Sequence, residues 1–147
     1  MLIHIANIIC LFLLLIVAIQ DIKSNKIYLI VLIGLLPFGY FLKQSDWQIA
    51  LLTSSGIISV IYLIGFLLKL KLKKDTIALG DFLLLGFVGL RFNPTNTLLI
   101  IIFSSIIGII ISGLILKKES LPFAGYLAIS SIIFIGLEYF NITINIY

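Results

Sequence analysis

The chain is short of nearly everything a water-soluble protein needs on its surface. Only 11% of its 147 residues are charged, ten of them basic and six acidic, while 62% are hydrophobic. At a mean hydropathy of +1.30, a soluble domain of this length has too little polar surface to cover itself. The composition excludes that class and implies an integral membrane protein. Its single cysteine, Cys10, excludes an internal disulfide and a multi-cysteine zinc site. Inside an apolar run it reads as a small, lipid-compatible side chain. No Ser/His/Asp set, zinc-ligand cluster or phosphate-binding loop is present, and the one histidine, His4, lies near the start of the first apolar run. No Gly/Ser/Pro-rich linker divides the chain, so residues 1–147 read as one membrane-embedded domain. The first ten residues lack the basic start and small-residue cleavage site of a secretory signal and read as a span. The basic residues never interleave with aromatics, which argues against a nucleic-acid partner.

What is there is apolar length. Runs extend over 2–20, 27–42, 49–68, 76–90, 98–116 and 121–140. Each is near the length that crosses a hydrocarbon core of ~30 Å at ~1.5 Å per helical residue. Backbone polar groups in lipid must be satisfied within the segment, and runs this continuous are not the alternating strands of a barrel. The expectation is an all-α, polytopic bundle of about six transmembrane helices. Basic residues orient it. The first, third and fifth gaps hold Lys23, Lys26, Lys69, Lys71, Lys73, Lys74, Lys117 and Lys118, whereas the second and fourth hold Lys43 and Arg91. The positive-inside rule makes the lysine-rich side cytoplasmic and puts both termini outside. His4, Glu138 and Tyr139 then fall near the outer interface, with Trp47, Tyr40 and Tyr139 as an aromatic belt.

Two carboxylates do not fit this pattern. Asp81 stands within "ALGDFLLLG", about a turn into the fourth run, and Asp21 closes the first run at "IVAIQDIKSNK". An unpaired aspartate deep in the membrane costs about 2.5–3.5 kcal/mol on insertion scales, so such residues usually face an interior site. The count of spans puts both acids at the cytoplasmic side, where they become neighbours if the first and fourth helices touch. The fourth run is also short, roughly 22 Å of helix, and carries Gly80, Gly86 and Gly89. A short, glycine-interrupted segment beside a charge points to backbone that lines a cavity. Gly80 has no Cβ, which permits another backbone to come close to the neighbouring acid.

With both aspartates in place, the chain resembles the type IV prepilin peptidases, membrane aspartic proteases of the GxGD type. "DIKSNKI" (21–27) is similar to the family's first aspartate motif, "ALGD" (78–81) to its GxGD motif, and "LPFAGYLA" (121–128) to a Pro-Phe-Gly-rich stretch that opens a late span. The family continues its first motif with Pro-Asn, where this chain has Tyr28-Leu29. Ala78 replaces the first glycine of GxGD, and Ala124 a further glycine. The resemblance implies Asp21 and Asp81 as catalytic residues, with Gly80, Pro122 and Phe123 as shapers of the pocket. It implies no cofactor and no metal. The implied substrate is a prepilin or pseudopilin precursor with a short basic leader, cleaved after a Gly just before its hydrophobic helix; Asp75 and Glu119 are acids able to attract that leader. Full-length members carry a cytoplasmic cysteine-rich, zinc-binding region and also N-methylate the product. This chain has neither those cysteines nor that length, so a compact peptidase-only form in the cell membrane is expected.

The chemistry implied is hydrolysis of one peptide bond by two carboxylates and a water. Two close acids do not both ionise easily, so they share one proton. The ionised member takes a proton from water while the protonated member polarises the scissile carbonyl. Helix dipoles favour charge on Asp81, at a helix start, over Asp21, at a helix end, which makes Asp81 the initial base; Lys23 and Lys26 pull the other way. A proton-coupled transporter and a noncatalytic assembly subunit are the competing readings of the same acids.

Overall fold

The computed structural model describes residues 2–24, 26–72, 78–111 and 122–139. Among these it contains six helices: α1 (Leu2–Ser24), α2 (Leu29–Phe41), α3 (Trp47–Leu72), α4 (Leu79–Arg91), α5 (Pro94–Gly108) and α6 (Phe123–Tyr139). Three helical stretches, Ile3–Ser24, Trp47–Leu67 and Pro94–Ile111, are long and apolar enough to cross a membrane. The outward faces are largely hydrocarbon, with Ile3, Phe12, Leu52, Leu63, Leu67 and Phe103 all exposed. The protein is an all-α membrane bundle.

Helix ends depart from the apolar runs where polar residues extend or start a helix. α1 continues past Asp21 to Ser24, whose hydroxyl donates to the Gln20 carbonyl at 2.8 Å. Asp21 therefore belongs to the last turn of the helix rather than to the loop. The "NPTN" segment, punctuation by composition, opens α5: the Asn93 side chain accepts from the Asn96 amide at 2.8 Å and Pro94 takes the first helical position. Both are standard start signals for a helix.

α4 is the spine. It packs against α2, α3 and α6 and touches α5, while α1 packs on α6 and α2. Every residue of α4 from Leu84 to Gly89 is buried, so the middle of this 13-residue helix, roughly 20 Å long, meets protein rather than lipid, while Leu79 at its start is exposed. Its glycines make that possible. A Cβ built on Gly89 would lie 2.6 Å from the Ser54 Cα, and one on Gly39 of α2 would lie 3.0 Å from the Phe87 ring. Ser54 also donates its hydroxyl to the Gly86 carbonyl at 3.2 Å. Small residues that let backbones close up are the usual glue between helices in lipid, where apolar side chains gain little by leaving one apolar medium for another.

A polar network ties one end of the bundle. Buried Arg91, at the end of α4, pairs with Glu138 near the end of α6 at 2.8 Å. Gln44, in the α2–α3 connection, donates its side-chain amide to Glu138. Its carbonyl oxygen accepts from the Asn93 backbone at 3.0 Å and from the Asn96 side chain at 3.3 Å. Glu138 thus turns into the bundle instead of reaching outward to the interface. Tyr40, Trp47 and Tyr139 are exposed around this same end.

Because backbone stands directly opposite Gly89, Gly89→Ala should destabilise the bundle by about 2 kcal/mol through overpacking. Gly56→Ala on α3, where nothing lies within 4 Å of an added Cβ, should leave stability near wild type. Unfolding in mixed detergent micelles separates the two, and equal effects would contradict the packing described.

Candidate active site

At the opposite end of the bundle the last turn of α1 and the first turns of α4 and α6 converge. The buried residues of α1 recur as Cys10, Leu14, Val17, Ala18 and Asp21, a spacing that keeps them on one helical face. Asp21 lies on this inward stripe and is 6% exposed. Its Oδ2 accepts from the backbone N–H of Gly125, in the first turn of α6, at 2.6 Å. A carboxylate that accepts a backbone amide of a helix N-terminus is satisfied both by the hydrogen bond and by the positive end of the helix dipole.

Asp81 is the third residue of α4 and is partly exposed. Its Oδ2 accepts from the Ala78 N–H at 3.0 Å, while the Asp81 N–H donates to the Ala78 carbonyl at 3.1 Å. The side chain thus closes back on its own helix start, as in the reciprocal half of a capping box. Asp81 also lies within electrostatic reach of Asp21, and the backbone amide of Ala124 interacts with it. Ala124 and Gly125 are adjacent residues, so one turn of α6 addresses both carboxylates. The helix-end asymmetry that favoured charge on Asp81 is offset here, because Asp21 meets the amide end of α6.

The other residues singled out in the sequence fall as follows. Gly80 faces the α1–α2 connection and the start of α2, where an added Cβ would lie 3.3 Å from Ile27 and 3.5 Å from Leu32; its nearest neighbours are side chains of the packing interface. Pro122 is buried immediately before α6, and its carbonyl accepts from the Tyr126 N–H at 3.3 Å. Phe123, the first residue of α6, is partly buried against the core. Asp75 and Glu119 lie outside the described residues. Gly125 lies within the "LPFAGYLA" stretch, where sequence reasoning assigns it no role; a pair of small residues at a helix start is the available signal.

The departures from the family pattern have simple backbone consequences. Ala78 caps α4 at φ −84°, ψ 155°, an extended conformation open to any residue, so alanine replaces glycine there without strain. Tyr28 stands at φ −70°, close to the angle a proline ring imposes. Its N–H donates to Gln20 at 3.4 Å, a contact that a proline would lack.

A protein-family model described as "Type IV leader peptidase family" matches residues 8–113, which spans α1 to α5 and includes both aspartates. No curated protein and no solved structure matches the chain.

The contact between α1 and α6 is testable on its own. The Asp21 Cβ lies 3.3 Å from a Cβ built on Gly125, near the ~3.5–4.5 Å found across disulfides. In a Cys10→Ser background, the pair Asp21→Cys with Gly125→Cys should cross-link under mild oxidation, read as a mobility shift reversed by reductant. Failure to cross-link would contradict the placement of α6.

Proposed function

The chain belongs to the type IV leader peptidase family, and on that premise we propose that it is an aspartic endopeptidase acting at the cytoplasmic face of the cell membrane. It removes the short basic leader from a prepilin-like precursor with Asp21, Asp81 and one water. The observation that supports this reading most directly is the approach of both carboxylates to one turn of α6, at Ala124 and Gly125. Two acids that feel each other's charge hold one proton between them. That leaves one as base toward water and the other as acid toward the carbonyl. Apparent ionisation constants of such a pair belong to the pair.

The sidedness rests on charge. Lys23 and Lys26 flank the aspartate end, and the remaining lysine-rich gaps follow α3 and α5 on the same side. Arg91, counted from sequence among the outer loop charges, is spent in a buried ion pair with Glu138. Lys43, the other basic residue of the two gaps assigned to the outside, stands over the Tyr40 ring at 5.3 Å, so the lysine-rich gaps carry the orientation proposed here. A shallow site on the inner leaflet meets a precursor where its basic leader enters the membrane. Asp75 and Glu119 are proposed to attract that leader, and Gly80, Pro122 and Phe123 to shape the pocket.

Purified protein incubated with a prepilin-type precursor should yield two fragments. Asp21→Asn and Asp81→Asn should each lower the rate at least about a hundredfold, the scale of general acid–base catalysis, with unfolding midpoints kept near wild type. A proton-coupled transporter releases no fragment at all, and a noncatalytic subunit tolerates both substitutions; either result would overturn the proposal.

A further inference from the structure

Gly125 combines two features that packing alone does not require. Its N–H is one of the free amides of the α6 N-terminus, and it is given to the buried Oδ2 of Asp21 at 2.6 Å. Its missing side chain leaves room for that approach. A Cβ here would lie 2.9 Å from Ile22 Cγ1, 3.3 Å from Asp21 Cβ and 3.3 Å from Asp21 Oδ2 itself. The contact with Ile22 is to a carbon next to Cβ in a branched side chain that is stiff at χ1, and truncation of Ile22 to alanine removes it. The carboxylate cannot yield without lengthening or losing the hydrogen bond to Gly125.

We propose that Gly125 is a positioning residue of the dyad: its amide holds the Asp21 carboxylate, and its lack of a side chain lets α6 deliver that amide. The inference rests on the reading of Asp21 as a catalytic residue. The physical need is plain. Asp21 sits in the last turn of α1, where the helix dipole works against a negative charge. Lys23 in the same turn projects on an exposed part of the helix and does not hold the carboxylate in place. A fixed amide supplies both orientation and electrostatic support before any substrate arrives, which is where preorganised sites gain most. The neighbouring amide of Ala124 acts on Asp81. Consecutive residues of one helical turn thereby address the two acids.

The role separates from mere packing in a double-mutant cycle with Ile22. Wild type, Gly125→Ala, Ile22→Ala and the double variant are compared in detergent solution on a precursor peptide containing a basic leader, a Gly at the scissile position and the start of an apolar helix. Asp21→Asn serves as the reference for a lost dyad. Gly125→Ala should reduce kcat at least about tenfold with KM within about twofold, since displacements near 1 Å at a reacting group cost up to a hundredfold. The same ratio should separate the double variant from Ile22→Ala, even though the contact with Ile22 has been relieved. A ratio near one in the Ile22→Ala background would overturn the inference, because the effect would then be steric. So would a raised KM at unchanged kcat, or a double variant that does not fold. Cleavage by Asp21→Asn would remove the dyad reading itself, and its appearance in that control tells the two failures apart.

Discussion

One buried hydrogen bond organises the aspartate-bearing end of this bundle: the Gly125 amide on the Asp21 carboxylate. In a hydrocarbon surround, an acceptor with no donor is expensive, and a charge without compensation more so. α1 therefore does not meet α6 at an arbitrary depth or rotation. The rotation that buries Cys10, Leu14, Val17 and Ala18 also turns Asp21 inward, and the depth is the one at which a free amide of α6 reaches it. The close approach depends on glycine at 125 and on the helix start at Phe123 behind Pro122. Orientation of the acid, packing of the two helices and exclusion of lipid from the site are one arrangement.

The rest of the bundle reads as support for that end. α4 carries Asp81 in its first turn and finishes with Arg91, so one short helix carries a polar group to each end of the core. Arg91 is anchored by Glu138, and through Gln44 the network joins the α2–α3 connection to the start of α5. Between the two polar ends, Gly39, Gly86 and Gly89 allow α2 and α3 to press against α4. Breaking a buried ion pair by removing one partner costs more than the pair contributes, so the network fixes the register of α4 against α6. The separation of the two aspartates inherits that register.

Much of this was legible in the residues. Six apolar runs correspond to the six helices of the described residues, and Asp21 and Asp81 lie at one end as the count of spans implies, although they meet at α6 rather than across an extensive interface of α1 with α4. The short fourth run, notable for its glycines, is the helix whose middle, Leu84 to Gly89, is buried without interruption. What could not be read was direction around each helix axis. In a soluble helix the apolar stripe marks the inward face, but α1 and α6 are apolar on all sides, so the face carrying Asp21 is silent in the sequence. The same silence hid the Arg91–Glu138 pair, because a positive residue at a helix end looks like an orienting loop charge until its partner 47 positions away is brought beside it. Gly125 was hidden for a different reason. Glycine is common in membrane helices, and only the position of a neighbouring side chain distinguishes a functional close approach from ordinary packing.

Asp21 and Asp81 are proposed to act together on one water at the first turn of α6. A peptide with a hydroxyl-bearing, noncleavable isostere in place of the scissile bond tests it most directly, because its hydroxyl takes the place of that water between the two acids. Calorimetric titration should show tight binding to the wild-type chain and a loss of at least about a hundredfold in affinity for either single Asn variant, against a far smaller loss for the same peptide without the hydroxyl. Equal binding of the isostere by wild type and by either variant would contradict the account.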